Sequence, residues 1–347
     1  MNETATLWWD TQTQSICYID QTRLPADYTI VQCHSIARLA RAIERLEIRG
    51  APALGVAGAF GIALSAQNCK KKHLHTFLSD VHRDAEILYA TRPTAINLGW
   101  GIERVLEKIE HVQDITSARR IALTEAMTIA REDTISCHAI GNHGASLLPD
   151  SCTVLTHCNA GSLACSSWGT ALGIIRSAVH GGKSVKVIAC ETRPLLQGSR
   201  LTAWELIRDG IDVTVITDSA AAHLMRTSSI DAVIVGADRV TRDAVFNKIG
   251  TYMHAVCAHH HNIPFYVAAP VSTFDAKKTE SDVIIEERTR EEVTTIGNRI
   301  FVPSLAGVKN YAFDASPINL VTAIVTDHGI LRQPIDIDSI LSLKSTK

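Results

Sequence analysis

From residue 153 to residue 268 the chain repeats one pattern: four or five apolar, mostly β-branched residues, followed by a stretch with helical spacing. The apolar runs are 153–157 (TVLTH), 185–189 (VKVIA), 213–217 (VTVIT), 232–235 (AVIV) and 265–268 (FYVA). Helices are predicted over 162–179, 199–209, 219–226 and 248–260. Strands joined by helical crossovers lie parallel, and helices cover both faces of their sheet. In such a sheet ligands bind beyond the carboxyl ends of the strands. The segments at those ends are Cys158-Asn159-Ala160-Gly161, Cys190-Glu191-Thr192-Arg193, Asp218-Ser219, Gly236-Ala237-Asp238-Arg239 and Ala269-Pro270. Polar, reactive and glycine-containing residues thus collect on one edge, and the chemistry is expected there.

The first half reads differently. Ile36, Leu39, Ala40, Ile43 and Leu46 recur at i, i+3 and i+4, and similar stripes run through 73–90, 93–110 and 116–142. No strand is expected between 35 and 143. The uncharged stretch 51–69 is rich in Gly and Ala, whereas a membrane span needs ~20 strongly apolar residues, so it is predicted to be a buried, closely packed helix. Loose alternation around Ser15-Ile16-Cys17-Tyr18-Ile19 predicts a short hairpin before Leu24-Pro25. The break at Leu148-Pro149-Asp150 divides an α/β chain into residues 1–145, a short β-hairpin followed by a helical domain, and residues 146–347, a parallel-sheet α/β domain.

Composition narrows the function. The 34 Lys and Arg against 36 Asp and Glu give a net charge of −2 with no basic block, so no nucleic-acid partner is expected. Aromatics at 5% leave little for base stacking, and 46% hydrophobic residues suit a large buried core. The start, MNETATLWWD, lacks a basic segment followed by an apolar one, so no signal peptide is expected. Nine cysteines, an odd number without a C-x-x-C pair, read as reduced thiols in a cytoplasmic protein. The run His259-His260-His261 is expected to be a polar helix face rather than a metal tract.

Several residues could carry chemistry. Cys158 falls between a strand and the helix predicted after it, where the helix dipole and free N–H groups favour a thiolate. The alternative is an inert packing thiol, the role expected of Cys152, Cys165 and Cys190. Asp238 follows the fourth strand; partly desolvated, it would suit a general acid, or it could simply pair with Arg239. In Arg49-Gly50-Ala51-Pro52 the proline suits a first helical turn, the glycine admits a ligand to the backbone, and the arginine offers a fork to an oxyanion. It could equally be only a helix start. Arg92-Pro93-Thr94, Glu191-Thr192-Arg193-Pro194 and Asn247-Lys248 beside Gly250 are comparable cationic junctions. Together they point to a small anionic substrate. No phosphate loop and no G-x-G-x-x-G follow any strand, so a nucleotide cofactor is not required.

In order along the chain, I-R-G-A-P-A-L-G (48–55), T-R-P-T-A-I-N-L (91–98), T-H-C-N-A-G-S-L-A (156–164), E-T-R-P-L-L-Q-G-S-R-L-T-A-W-E-L (191–206), G-A-D-R-V (236–240), N-K-I-G-T-Y (247–252) and F-D-A-S-P-I-N-L-V-T-A-I-V-T (313–326) resemble the methylthioribose-1-phosphate isomerase family. Its related branches are ribose-1,5-bisphosphate isomerases and the regulatory subunits of the exchange factor for translation initiation factor 2. The resemblance implies a helical N-terminal domain followed by a Rossmann-like C-terminal domain, assembled as a homodimer. It implies conversion of 5-methylthioribose 1-phosphate to 5-methylthioribulose 1-phosphate in methionine salvage; no metal, cofactor, nucleic-acid or membrane partner is expected. Cys158 falls on the family's catalytic cysteine and Asp238 on its catalytic aspartate. Arg49, Gly50, Ala51, Arg92, Gln197, Asn247 and Lys248 fall on substrate-contacting positions. One segment departs: 241–246 (TRDAVF) is one residue shorter than the family's insert and lacks its glycine. Asp243 could replace the usual acid there, and Arg242 could favour a more anionic 5-substituent or be a solvated surface charge. The departure keeps 5-deoxyribose 1-phosphate and ribose 1,5-bisphosphate open as substrates. A non-catalytic sugar-phosphate or nucleotide sensor is the reading from another class.

Overall fold

The computed structural model describes residues 5–93, 95–227 and 229–338, so Thr94 of the Arg92-Pro93-Thr94 junction lies outside the described residues. The chain divides into two compact units, one formed by 1–138 with 160–173 and the other by 139–159 with 174–347.

The first unit opens with strands β1 (Leu7–Asp10), β2 (Ser15–Ile19) and β3 (Ile30–Cys33). The expected hairpin is present, and β3 adds a third antiparallel strand, with Ile19 opposite Ile30. Five helices follow: α1 (Ile36–Glu44), α2 (Ala51–Asn68), α3 (Leu74–Thr91), α4 (Ile96–Ile109) and α5 (Ile115–Ala145), the last reaching into the second unit. Helix α2 is buried on every side from Ala53 to Ala66. Its small residues explain this, because Gly101 of α4 lies so close to the Gly55 carbonyl that a Cβ there would collide with it. Gly50 opens α2 at φ 97°, and a Cβ on it would lie 2.5 Å from the Ala164 Cα. Only glycine fits that turn.

The second unit is built on β4 (Ser151–Thr156), α6 (Ala171–His180, from Ile174 onward), β5 (Ser184–Cys190), α7 (Ala203–Arg208), β6 (Val213–Ile216), α8 (Ala220–Arg226) and β7 (Ala232–Gly236). Then come β8 (Arg239–Val240), β9 (Ala244–Lys248), α9 (Thr251–His260), β10 (Phe265–Ala268), α10 (Glu291–Thr294), and the small pair β11 (Thr295–Ile296) and β12 (Arg299–Ile300). The unit closes with β13 (Phe313–Pro317), β14 (Ala323–Thr326) and β15 (Gly329–Arg332). The main sheet has the order β15-β14-β10-β7-β4-β5-β6, parallel except for β15. All five predicted strands are in it. Leu155, Val233, Val235, Phe265, Val267 and Ile324 form the centre of its core. Strand order reverses between β4 and β7, and sheets of this kind bind ligands in a crevice beyond the carboxyl ends at such a point.

Two expected helices begin later than their periodicity suggested. The one predicted from 162 starts at Ala171, so Cys158 does not sit at a helix N-terminus and the dipole argument for it falls. Residues 161–170 instead fold back, with the Thr170 and Leu172 N–H groups both donating to the Ala160 carbonyl at 3.0 and 3.2 Å. Bonds to other parts of the first unit compete successfully with a helical ladder: the Thr6 hydroxyl donates to the Ser162 carbonyl at 2.6 Å, and the Ser166 N–H to Asp133 at 2.6 Å. The helix predicted from 248 starts at Thr251, leaving Asn247 and Lys248 at the end of β9. Among the described residues no helix is long and apolar enough to cross a membrane, and no disulfide joins the nine cysteines.

Candidate active site

Strands β4 and β7 pair with Thr156 opposite Ile234, and Cys158 and Asp238 each follow two residues beyond the end of their strand. Cys158 is 8% exposed and held at φ 67°, a left-handed conformation that costs about 1–3 kcal/mol for a non-glycine residue unless its surroundings impose it. Those surroundings are explicit. The Cys158 N–H donates to the Thr192 hydroxyl at 2.8 Å, and its carbonyl accepts from the Thr202 hydroxyl at 2.6 Å. Thr192, fully buried and itself at φ 66°, donates its hydroxyl to the Cys190 carbonyl at 3.0 Å. The N–H groups of Thr192 and Arg193 donate to the two oxygens of Asp218 at 2.7 and 2.8 Å. The ends of β4, β5 and β6 are thereby bonded to one another. Behind Cys158, the Asn159 amide donates to Glu205 at 2.8 Å, and Glu205 pairs with the buried Arg176, which also meets Asp209 at 2.7 Å. Burial disfavours the Arg176 charge, but its two carboxylate partners outweigh that penalty.

Asp238 is half-buried and donates its N–H to the Phe246 carbonyl at 2.9 Å. The shortened 241–246 segment is a tight hairpin, β8 to β9, with Arg239 opposite Phe246 and the Thr241 N–H donating to the Ala244 carbonyl. Arg242 at its tip is exposed and donates to the Ala276 carbonyl at 2.6 Å and to Asp338 at 3.3 Å. Asp243 accepts from the Thr241 hydroxyl at 3.0 Å and the Glu280 N–H at 2.8 Å. Both side chains hold the hairpin.

Asn247 and Lys248 are buried, with the Asn247 amide donating to the Thr251 hydroxyl at 3.1 Å and the Lys248 ammonium 4.7 Å from the centre of the Phe313 ring. Asp314, opposite Asn247 on β13, accepts the N–H groups of Gly250 at 2.7 Å and Tyr252 at 3.1 Å. Burial pushes its carboxyl up to about 6, against the pull of those two N–H groups and of Lys248. Gln197 is 5% exposed, and its Oε1 has no hydrogen-bond partner. A buried acceptor left unpaired fits a position completed by a ligand donor. The Arg193 guanidinium of the E-T-R-P junction donates to the Pro194 and Val293 carbonyls and so supports the backbone.

Arg49, Gly50, Ala51 and Arg92 belong to the first unit. There Arg49 precedes the Gly50 turn into α2, whose N-terminus has no side-chain cap, and Arg92 terminates α3.

Sequence reasoning passed over two residues, His157 and His254. Their rings are buried, 4.7 Å apart and edge to face. His157 Nε2 lies 2.9 Å from the Ile249 carbonyl and therefore carries its proton; Nδ1 then accepts from His254 Nε2 at 3.2 Å. Burial holds both neutral, with pKa values depressed to about 4 and about 3, and Lys248 further disfavours charge on His157. The signal available was position: His157 immediately precedes Cys158 in T-H-C-N. With Cys190 these histidines are a grouping that could hold a metal ion, as are Asp133, Cys137 and Cys165 of the first unit. In the first grouping both ring nitrogens of His157 are already hydrogen-bonded. The three-histidine run ends α9, with His259 and His260 exposed in its last turn.

Comparison with known proteins extends this geometry. A methylthioribose-1-phosphate isomerase of Desulforamulus reducens is 46% identical over 95% of this chain and 96% of its own. The crystal structure of 5-methylthioribose 1-phosphate isomerase from Pyrococcus horikoshii matches with a TM-score of 0.90 at 40% identity, over 99% of this chain and 96% of that one. A structure from Archaeoglobus fulgidus described as the delta subunit of translation initiation factor eIF-2B matches with a TM-score of 0.86 at 50% identity, over 95% and 96%. Residues 47–333 match the initiation factor 2 subunit family, a span that takes in every candidate residue from Arg49 to Lys248, and the chain belongs to that family.

Proposed function

We propose that this chain is an aldose–ketose isomerase converting 5-methylthioribose 1-phosphate to 5-methylthioribulose 1-phosphate in methionine salvage. The observation that carries the reading is the placement of a buried thiol and a half-buried carboxylate at the adjacent ends of β4 and β7, where the strand order reverses. Full-length likeness to isomerases from several organisms supports it.

Phosphate on the anomeric carbon prevents the sugar ring from opening spontaneously to an aldehyde. Asp238 is assigned as the general acid that protonates the ring oxygen as the bond to C1 breaks. Hydrogen then moves from C2 to C1, either as a proton that Cys158 takes from C2 and returns to C1 or as a hydride shift that Cys158 stabilises, and the C2 hydroxyl gives its proton back to the Asp238 carboxylate as the C2 carbonyl forms. Exclusion of water from the crevice would protect the opened sugar from losing phosphate. Arg49, Gly50, Ala51, Arg92, Gln197, Asn247 and Lys248 are assigned to substrate contacts. No metal or cofactor has a step in this scheme.

The same reading makes the second unit a Rossmann-like catalytic domain following a helical N-terminal one, with a division near 145/146. It makes the protein a cytoplasmic homodimer whose partner is a small sugar phosphate, not nucleic acid or a membrane. The initiation-factor name carried by the Archaeoglobus structure keeps a second reading, a non-catalytic sensor. Turnover assays with 5-methylthioribose 1-phosphate, 5-deoxyribose 1-phosphate and ribose 1,5-bisphosphate separate the readings. Preference for the first is expected; preference for another would reassign the substrate, and inactivity on all three would favour the sensor.

A further inference from the structure

We propose that His157 and His254 are positioning residues: an imidazole pair that ties the Cys158-bearing end of β4 to the segment carrying Asn247 and Lys248. The proposal rests on reading this site as an isomerase. Its physical basis is a continuous chain of bonds. His157 is covalently next to Cys158, and its Nε2–H donates to the carbonyl of Ile249, the residue after Lys248. His254, one turn into α9, donates its Nε2–H to His157 Nδ1 and so fixes the ring from its other edge.

The local backbone is shaped around that ring. Gly250 stands at φ 102°, and a Cβ on it would lie 3.2 Å from both His157 Cε1 and Nε2. Glycine therefore lets the imidazole lie against the turn and reach the Ile249 carbonyl. On the other side of the same turn, Asp314 holds the Gly250 and Tyr252 N–H groups. Residues 247–252 are thus bonded from both sides, by a carboxylate and by the imidazole pair. With both of its ring nitrogens bonded, His157 has no lone pair left for a substrate, so it acts through Cys158 and Lys248. Placement of reacting groups to well under an ångström governs rate, which gives such a tie its effect.

The test compares His254→Leu, which keeps the volume and removes the donor, with His254→Gln, whose amide can donate again. His254→Leu is expected to lower kcat roughly ten- to hundredfold and to raise KM less, with His254→Gln recovering most of the loss. Equal kcat in the two variants, or a full rate in His254→Leu, would overturn the proposal in favour of simple packing. Alkylation of Cys158 by iodoacetamide, read by mass spectrometry, follows the same variants without any substrate. Faster alkylation in His254→Leu, reversed in His254→Gln, supports the tie even if wild-type protein turns over no sugar phosphate and the isomerase reading fails. Unchanged alkylation counts against it. Should His254→Leu not fold, nitrogen NMR of the wild-type rings decides: a His157 protonated at Nε2 and bare at Nδ1 is expected from about pH 5 to 8, and the other tautomer or an ordinary titration near 6.5 would refute it.

Discussion

Thr192→Val removes one hydroxyl and leaves the surrounding backbone a close copy of itself. Thr192 is fully buried at φ 66°, and valine is branched in the same way, so both residues carry the strain of the left-handed conformation equally. What disappears is the oxygen that accepts the Cys158 N–H at 2.8 Å and donates to the Cys190 carbonyl at 3.0 Å. The Cys158 N–H is then buried without an acceptor, a loss of about 1–3 kcal/mol, and the second bond adds about 1 kcal/mol. Burial of the new methyl returns about 1 kcal/mol. The net expectation is destabilisation of about 2 kcal/mol, seen as a lower urea midpoint with little change in slope. Cys158 also loses one of the two bonds that hold its backbone, so turnover should fall roughly tenfold or more. Thr192→Ser restores the hydroxyl and should restore both quantities. A Thr192→Val protein within about 0.5 kcal/mol of wild type and turning over at the parental rate would show that Thr192 does not hold Cys158 in place.

Gln197→Leu replaces an amide whose buried oxygen is unpaired, so stability should hold or rise by up to about 1 kcal/mol while KM for the sugar phosphate increases about tenfold; lower stability with unchanged KM would contradict a ligand-facing role. Gly50→Ala forces a side chain onto φ 97° and to within 2.5 Å of the Ala164 Cα, and should cost about 3 kcal/mol or more in thermal or urea unfolding; a neutral result would refute the described turn. Stability should also depend on pH in a defined direction. Between pH 6.5 and 4 the unfolded chain protonates His157 and His254 while the native one keeps them neutral, so their contribution, complete above 6.5, is lost on acidification. Asp314 opposes this, because its native carboxyl takes up a proton near pH 6 and its unfolded one only near 3.8. Two protons gained by the unfolded chain against one by the native leave a loss of about 1 kcal/mol per pH unit between about pH 6 and 5, measured by urea titrations at each pH. A flat or opposite slope would show that the pair is not buried neutral.

Much of the second unit was readable because local pattern and tertiary structure agree. Five short β-branched runs became five strands of one sheet, and Cys158 and Asp238 stand at strand ends because strand length and crossover spacing put them there. The glycine- and alanine-rich stretch after Gly50 packs as a buried helix for the same reason: small residues admit close neighbours. Where long-range bonds decide, periodicity misled. Residues 161–170 carry a helical apolar spacing, yet Thr6, Gln21 and Asp133 bond to them and limit them to one 3-10 turn at Ser162–Ala164 instead of an α-helix. The Thr192, Thr202 and Asp218 bonds around Cys158 and the His157–His254 contact join residues 26 to 97 positions apart, a distance over which no local spacing speaks. Arg242 and Asp243, weighed as a substrate determinant and a replacement acid, hold a hairpin together, a use invisible until β8 and β9 were seen to pair.

The central claim is that Cys158 and Asp238 together carry an isomerisation, and the direct measurement is steady-state conversion of 5-methylthioribose 1-phosphate by the wild-type protein, Cys158→Ala and Asp238→Asn, with unfolding followed in parallel. Wild-type turnover, loss of roughly a hundredfold or more in each variant and near-parental stability in both are the expected results. Near-normal rates in either folded variant would contradict it.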